Sequence, residues 1–135
     1  MKAGRRPLVP VRDDVRRTLV WTPDASRALA ALGNAPDVYG QTWHLPVDES
    51  RPTYQDLVAM VAQEFGTDGK YTVVPKWALR AAGAVSPRAW EIRELLPRYA
   101  NDDLFDATKF RVRFPDFRVT AFREGLAIIH GEARA

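Results

Sequence analysis

Three short segments rich in β-branched and aromatic residues, each ended by a proline, most constrain the fold of this 135-residue chain. They are Thr18–Thr22, Thr42–Pro46 and Tyr71–Val74. This composition predicts strands, and longer stretches with helical spacing of apolar residues separate them. Because strands that alternate with helices build mixed layers, we expect an α/β fold in which several helices cover short strands.

The helices are predicted from apolar spacing together with start and stop residues. The predicted ranges are 25–32, 54–65, 76–83, 87–97 and 107–112, with an extended piece at 117–119 and a last helix after Thr120. Asp24, Thr53 and Thr120 are expected to cap three of these helices through their side-chain oxygens. The first 17 residues combine charges and prolines without an apolar period, which predicts irregular structure.

The composition is that of an ordinary globular protein, with 46% hydrophobic and 27% charged residues. The chain has no cysteine, which excludes disulfides, a thiolate nucleophile and cysteine metal sites. No apolar run approaches the roughly 20 residues needed to span a bilayer, and no apolar leader follows the basic residues at the N-terminus. We expect a cytoplasmic protein without a membrane partner.

The net charge of +3 is concentrated in the first 20 residues, which hold six basic and two acidic side chains. Such a segment can contact phosphate. It has neither interleaved aromatic residues nor a recognisable nucleic-acid module, so a solvated segment is the ordinary interpretation. We expect no nucleic-acid partner.

The motifs for a nucleotide cofactor or for proton transfer are missing from the sequence. No Gly-x-Gly-x-x-Gly motif follows a predicted strand, and no tyrosine is followed four residues later by the lysine that would lower its pKa. Neither histidine has a second ligand at metal-binding spacing, and no serine lies in a Gly-x-Ser-x-Gly turn. The sequence therefore predicts no catalytic residue and no metal site.

Several aromatic and polar residues are candidates for ligand contact. His44 lies on a predicted strand beside a tryptophan, although a structural histidine with satisfied hydrogen bonds fits the same pattern. Trp90 and Tyr99 are the first choices for a pocket lining, although aromatic residues at this spacing also form cores. The acidic cluster of Asp102, Asp103 and Asp106 has no partner that would tune a pKa, which favours caps and solvated turns.

The order of several segments resembles the C-terminal part of the NAD-dependent epimerase/dehydratase family, the extended short-chain dehydrogenase/reductases. The similarity covers about residues 15–130 and rests on the following segments: TLVWTPDASRAL at 18–29, YGQTWHLP at 39–46, YANDD at 99–103, DATKF at 106–110, RFPDF at 113–117 and TAFREG at 120–125. Each segment is weakly specific by itself, because it records packing more than chemistry. The resemblance rests on their order.

The resemblance implies the C-terminal substrate-binding portion of a Rossmann-type enzyme that uses NAD or NADP. The substrate would be a nucleotide-sugar or a related hydroxy/keto compound. The family's glycine-rich loop and Tyr-x-x-x-Lys pair would lie before residue 1, so we expect a truncated chain, without the nucleotide-binding half and inactive alone. Four residues at predicted strand ends would face the substrate crevice: Trp21, Thr22, His44 and Pro46.

Two functions are compatible with this pattern. The chain is either the substrate-binding half of an oxidoreductase or epimerase, or a non-enzymatic small-molecule-binding or protein-interaction module derived from it. The expected organisation is an irregular segment at 1–17, an α/β domain at 18–130 and a flexible tail at 131–135. Because short strands alone leave unpaired edges, we expect self-association or pairing with a separate Rossmann half.

Overall fold

The computed structural model describes residues 6–10, 12–85 and 99–134. These residues form a mixed α/β structure that is mostly helical, with one two-stranded parallel sheet, which confirms the predicted class at this coarse level. The chain divides into two compact units whose segments alternate along the sequence. The first unit comprises Met1–Arg17 and Pro52–Asp103, and the second comprises Thr18–Arg51 and Leu104–Ala135.

The sheet belongs to the first unit. Strand β1 (Leu8–Pro10) runs parallel to strand β2 (Thr72–Val74), and the Thr72 amide donates a hydrogen bond to the Pro7 carbonyl at 3.0 Å. The prediction of a strand ending at Val74 is confirmed. The prediction of irregular structure was wrong at β1, because its partner strand lies far away in the sequence and local composition does not show it.

Helix α2 (Tyr54–Phe65) has the start and the end that the sequence predicts. The Thr53 hydroxyl accepts a hydrogen bond from the Asp56 amide at 3.2 Å, and the Asp56 carboxylate accepts one from the Thr53 amide at 2.9 Å. This reciprocal pair is a capping box. Gly66 ends the helix at φ 62°, a left-handed conformation that favours glycine.

Helix α3 (Lys76–Val85) begins directly after Pro75, as predicted. Proline is favoured at helix starts because its fixed φ suits the first turn and its missing N–H would have no partner there. The helix predicted at 87–97 lies outside the described residues.

The second unit contains three helices and a short 3₁₀ turn. They are α1 (Thr22–Gly33), the 3₁₀ turn Pro36–Val38, α4 (Thr108–Arg113) and α5 (Phe122–Glu132). Phe110 is fully buried, and its ring lies 4.8 Å from the Phe114 ring and 5.2 Å from the Phe117 ring. These aromatic contacts, together with buried Ala28 and Val47, form the core of this unit.

Three predicted extended segments are not strands. Residues 18–21, 42–46 and 117–119 have no strand assignment, and Thr22 is already the first residue of α1. Pro23 explains the early helix start, since proline suits the first turn. β-propensity measures how well a side chain fits a half-buried pleated surface. The side chains of these three segments fit such a surface, but the segments themselves are not paired as strands.

Asp24 and Thr120 do not cap helices as predicted, because they bond to each other. Asp24 is the third residue of α1, and its carboxylate accepts hydrogen bonds from the Thr120 amide at 2.6 Å and the Thr120 hydroxyl at 2.9 Å. Arg27 donates a third at 2.6 Å. The start of α5 is held by a second carboxylate, since Asp48 accepts from the Phe122 amide at 2.9 Å.

The Asp24 carboxylate is only 1% exposed and stays ionised. Burial raises the pKa of this carboxyl, but hydrogen bonds from the Thr120 amide, Arg27 and the Thr120 hydroxyl outweigh burial and hold the pKa below its ordinary value. A carboxyl with a depressed folded-state pKa stabilises the fold above its unfolded pKa. That stabilisation is lost as the pH falls through the folded-state pKa.

The capping box predicts the effect of a single substitution. Thr53→Ala removes the oxygen that accepts from Asp56, and we expect the free energy of unfolding to fall by about 1 kcal/mol. Thr67→Ala, at an exposed threonine after the same helix, is the matched control and should change it by less than about 0.5 kcal/mol. Urea denaturation followed by circular dichroism measures both, and equal effects would contradict the capping role.

Replacing Asp24 by asparagine tests the buried carboxylate. Asn keeps the shape but loses the charge that strengthens three hydrogen bonds, so we expect Asp24→Asn to lower the free energy of unfolding at pH 7 by about 2–3 kcal/mol. The difference between wild type and variant should shrink as the pH falls below about 4. Thermal melts across pH 3–7 measure this, and a difference that does not change with pH would contradict it.

Candidate functional site

The residues proposed from the sequence at strand ends all lie in the second unit, in different environments. Pro46 is fully buried, and the Trp21 ring packs so closely on α5 that a Cβ built on Gly125 would lie 3.2 Å from it. Both side chains therefore contribute to packing. Thr22 and His44 are exposed and are the two of this group that present polar atoms at the surface.

The exposed His44 ring is held in one orientation. Its Nδ1 lies 3.0 Å from the Asp106 carbonyl oxygen, and its ring centroid lies 5.0 Å from that of Phe105. Because a carbonyl oxygen only accepts hydrogen bonds, Nδ1 carries the proton in the neutral ring and Nε2 is left as an acceptor.

Two cationic side chains bond to backbone carbonyls beside His44. Arg51 Nη2 donates to the Phe105 carbonyl at 3.1 Å, and Lys109 Nζ donates to the Thr42 carbonyl at 3.2 Å. Lys109 Nζ also lies 4.1 Å from the centroid of the Trp43 ring. These contacts join residues 42–51 to residues 104–109, and Arg51 Nε is buried without a hydrogen-bond partner.

A different side chain, Arg17 in the first unit, has the most unusual environment among the described residues. It is 5% exposed. Its Nη1 lies 3.8 Å from the Asp103 carboxylate, and the centroid of the Tyr99 ring is 5.0 Å from the guanidinium carbon. The other two nitrogens, Nε and Nη2, are shielded from solvent and have no hydrogen-bond partner. We call Arg17, Tyr99 and Asp103 the Arg17 site.

Two unpaired donors on a buried cation are costly, because each has lost its water without gaining a protein acceptor. Most buried polar groups in folded proteins are paired, so such exceptions call for a specific explanation. A guanidinium can offer two adjacent N–H groups to both oxygens of one carboxylate or phosphate. The Arg17 site therefore has the donor set of an anion-binding site.

The other predicted candidates have these positions. Tyr99 lies at the Arg17 site, and Trp90 lies outside the described residues. Asp102 accepts a hydrogen bond from the Arg16 amide at 2.8 Å and Asp106 accepts one from the Thr108 amide at 2.8 Å. Both carboxylates thus satisfy backbone donors, as expected for turns.

Sequence reasoning missed Arg17, because a segment rich in arginine was interpreted as solvated. A usable signal is its place at the junction of charge and apolar residues, directly before Thr18-Leu19-Val20.

Metal binding and membrane insertion receive no support from the described residues. Within residues 6–10, 12–85 and 99–134, no three carboxylate or imidazole side chains cluster closely enough to hold a metal ion. No helix in this part of the chain is long and apolar enough to cross a bilayer.

A shallow depression on the second unit is less informative. Leu29, Leu32 and Trp43 line it together with Tyr39 and Gln41. The Tyr39 hydroxyl already donates to the Gly33 carbonyl at 2.5 Å, and no charged side chain lines the depression. It has few groups that would orient a polar ligand.

No family model, no curated protein and no solved structure matches this chain. Function must therefore be inferred from the Arg17 site and from the order of sequence segments described above.

The unpaired donors predict that Arg17 does not stabilise the fold. We expect Arg17→Met, which replaces a buried cation by an apolar side chain of similar length, to leave the free energy of unfolding within about 1 kcal/mol of wild type, because the Asp103 side chain that loses its partner is 22% exposed and stays partly hydrated. Asp103→Asn removes the nearby negative charge and should cost about 2 kcal/mol. Urea denaturation measures both, and a larger loss for Arg17→Met than for Asp103→Asn would contradict this interpretation.

Proposed function

We propose that this chain is the substrate-binding part of an NAD(P)-dependent epimerase/dehydratase of the extended short-chain dehydrogenase/reductase type. We further propose that it binds a nucleotide-sugar or a related anionic hydroxy/keto compound. The observation that carries the proposal is the buried Arg17 guanidinium with two unpaired nitrogens, Nε and Nη2. A ligand phosphate would supply the acceptors that these groups lack.

The charge at the Arg17 site fits an anionic ligand. Asp103 lies near Nη1 at 3.8 Å, which is longer than a hydrogen bond, so it offsets the arginine charge without using Nε or Nη2. Those two nitrogens share one edge of the planar guanidinium and match the spacing of two oxygens on one phosphate. A diphosphate group presents such oxygens, and so does a carboxylate.

The organisation of the second unit supports the family part of the proposal. Five of the six segments on which the resemblance rests belong to this unit, at 18–29, 39–46, 106–110, 113–117 and 120–125, and the sixth, at 99–103, belongs to the first unit. Specific contacts join them in pairs: Asp24 bonds to Thr120, and His44 bonds to the Asp106 carbonyl. Segments that are distant in sequence are thus in direct contact within this unit.

The proposed role is binding and orientation of the substrate. Hydride transfer would use NAD or NADP held by a nucleotide-binding half with the glycine-rich loop and Tyr-x-x-x-Lys pair, neither of which occurs in this sequence. Arg17 would contribute charge-assisted hydrogen bonds, and the exposed His44 and Thr22 are candidates for contacts with hydroxyl groups. We propose no proton transfer by residues of this chain.

The alternative is a binding module without enzymatic function. One observation favours keeping it: Arg17, Tyr99 and Asp103 all belong to the first unit, so anion binding at this site does not depend on a cofactor domain. The two proposals differ in whether the chain recognises only the anionic group of its ligand or also the rest of the ligand.

Calorimetric titration with UDP-glucose, as a representative nucleotide-sugar, tests the proposal. We expect saturable binding to the wild-type chain and a loss of about 10- to 100-fold in affinity for Arg17→Gln, the size expected when charge-assisted hydrogen bonds are removed. Arg16→Gln is the matched control, because Arg16 is adjacent and exposed. NADH should show no saturable binding at micromolar concentration.

The outcomes separate the alternatives. Equal losses for the Arg16 and Arg17 variants would contradict the site, and an absence of UDP-glucose binding to the wild type would contradict the substrate class. If inorganic pyrophosphate binds as tightly as UDP-glucose, the chain recognises only the anionic group, which favours the binding module. Micromolar binding of NADH would overturn the assignment of the cofactor to another half.

A further inference from the structure

We infer that Tyr99 closes the Arg17 site, and that its side chain must move away before an anionic group can reach the guanidinium. This inference rests on the proposed anion-binding function, which it extends from what is bound to how access is controlled. It assigns Tyr99 a positioning role and no part in chemistry.

The first observation is that the free donors are closed off. Nε and Nη2 of Arg17 are shielded from solvent, and the whole side chain is 6% exposed. A ligand therefore cannot reach these atoms in the conformation described. Either Arg17 must move outwards or a covering group must move aside.

The second observation identifies Tyr99 as the covering group. Its ring lies over the Arg17 guanidinium with the centroid 5.0 Å from the central carbon, whereas Asp103 approaches from the side of Nη1. Tyr99 is itself only partly buried, so we take its ring to be the group that covers this face of the guanidinium. Aromatic rings that cover a cation in this way interact with it favourably but weakly.

The third argument concerns which residue moves more easily. The Arg17 backbone forms a parallel bridge with Asp103, and the Asp103 amide donates to the Arg16 carbonyl at 3.1 Å, so Arg17 can move outwards only through its side chain. The Tyr99 side chain needs only a rotation about its own bonds to expose the guanidinium. The open position would admit an anion to the guanidinium.

The exchange of the Arg17 Nε proton with water provides a direct test. It is measured by NMR in ¹⁵N-labelled chain, and the signal is assigned by its loss in Arg17→Lys. We expect Tyr99→Ala to accelerate this exchange by about tenfold or more, because opening limits access. Tyr99→Phe keeps the ring and should leave the rate nearly unchanged. Tyr99→Leu serves for the same comparison if Tyr99→Ala does not fold.

The backbone amides of α2, in the same unit, show whether the variant has merely loosened. Faster Arg17 exchange with unchanged α2 amides supports closure by Tyr99. Unchanged Arg17 exchange in Tyr99→Ala, or equal acceleration of Arg17 and α2, overturns it.

Titration with inorganic pyrophosphate distinguishes failure of this inference from failure of the proposed function. If the wild type binds pyrophosphate through Arg17 but Tyr99→Ala exchanges no faster, anion binding stands and the closure is wrong. If Tyr99→Ala exchanges faster but neither it nor the wild type binds pyrophosphate or UDP-glucose, Tyr99 covers Arg17 without an anion-binding function, and the proposed function is wrong. With closure, removal of the ring should also strengthen apparent pyrophosphate binding, because opening no longer competes with it.

Discussion

The second unit depends on one buried carboxylate more than on any other polar group described. Asp24 lies in α1, and its hydrogen bonds to Thr120 tie the segment 18–51 to the segment 104–135 directly before α5. A buried charge is tolerated only when several donors satisfy it, and Arg27 completes that set. The same interaction positions the first turn of α5, whose N-cap residue Ala121 has no side-chain oxygen to offer. The packing around Phe110 joins segments that this interaction also ties together.

The sequence predicted the helices well where their signals are local. The capping box at Thr53, the left-handed Gly66 and the proline before α3 act within a few residues, so composition and spacing suffice to place them. A strand needs a partner strand, which local sequence does not identify. For this reason β1 was not predicted, and residues 42–46 were predicted to form a strand that the structure does not contain. Asp24 has the residue type of a cap, but which donors reach it is decided by the tertiary structure.

The candidate site shows the same limit at the level of one residue. Arg16 and Arg17 are chemically identical neighbours, yet Arg16 is exposed and Arg17 is 5% exposed. In extended backbone successive side chains point to opposite sides, so one arginine faces solvent while the next is buried beside Tyr99. Charge and composition are visible in the sequence, but burial is not, and burial is what turns an ordinary basic residue into a candidate ligand contact. Tyr99 was predicted as an aromatic pocket residue, although its cationic neighbour was not.

The two prolines around β1 limit the number of amide donors that the outer edge of this strand can offer. With Thr72 bonded to Pro7 in a parallel pair, the amides of alternate residues in β1 turn towards β2, and those of Leu8 and Pro10 turn to the opposite edge. Proline has no N–H, so that edge offers the Leu8 amide as its donor within the strand. A strand from another molecule would find too few donors there to extend the sheet. Although Leu8 is 69% exposed, the backbone beside it is a poor template for aggregation.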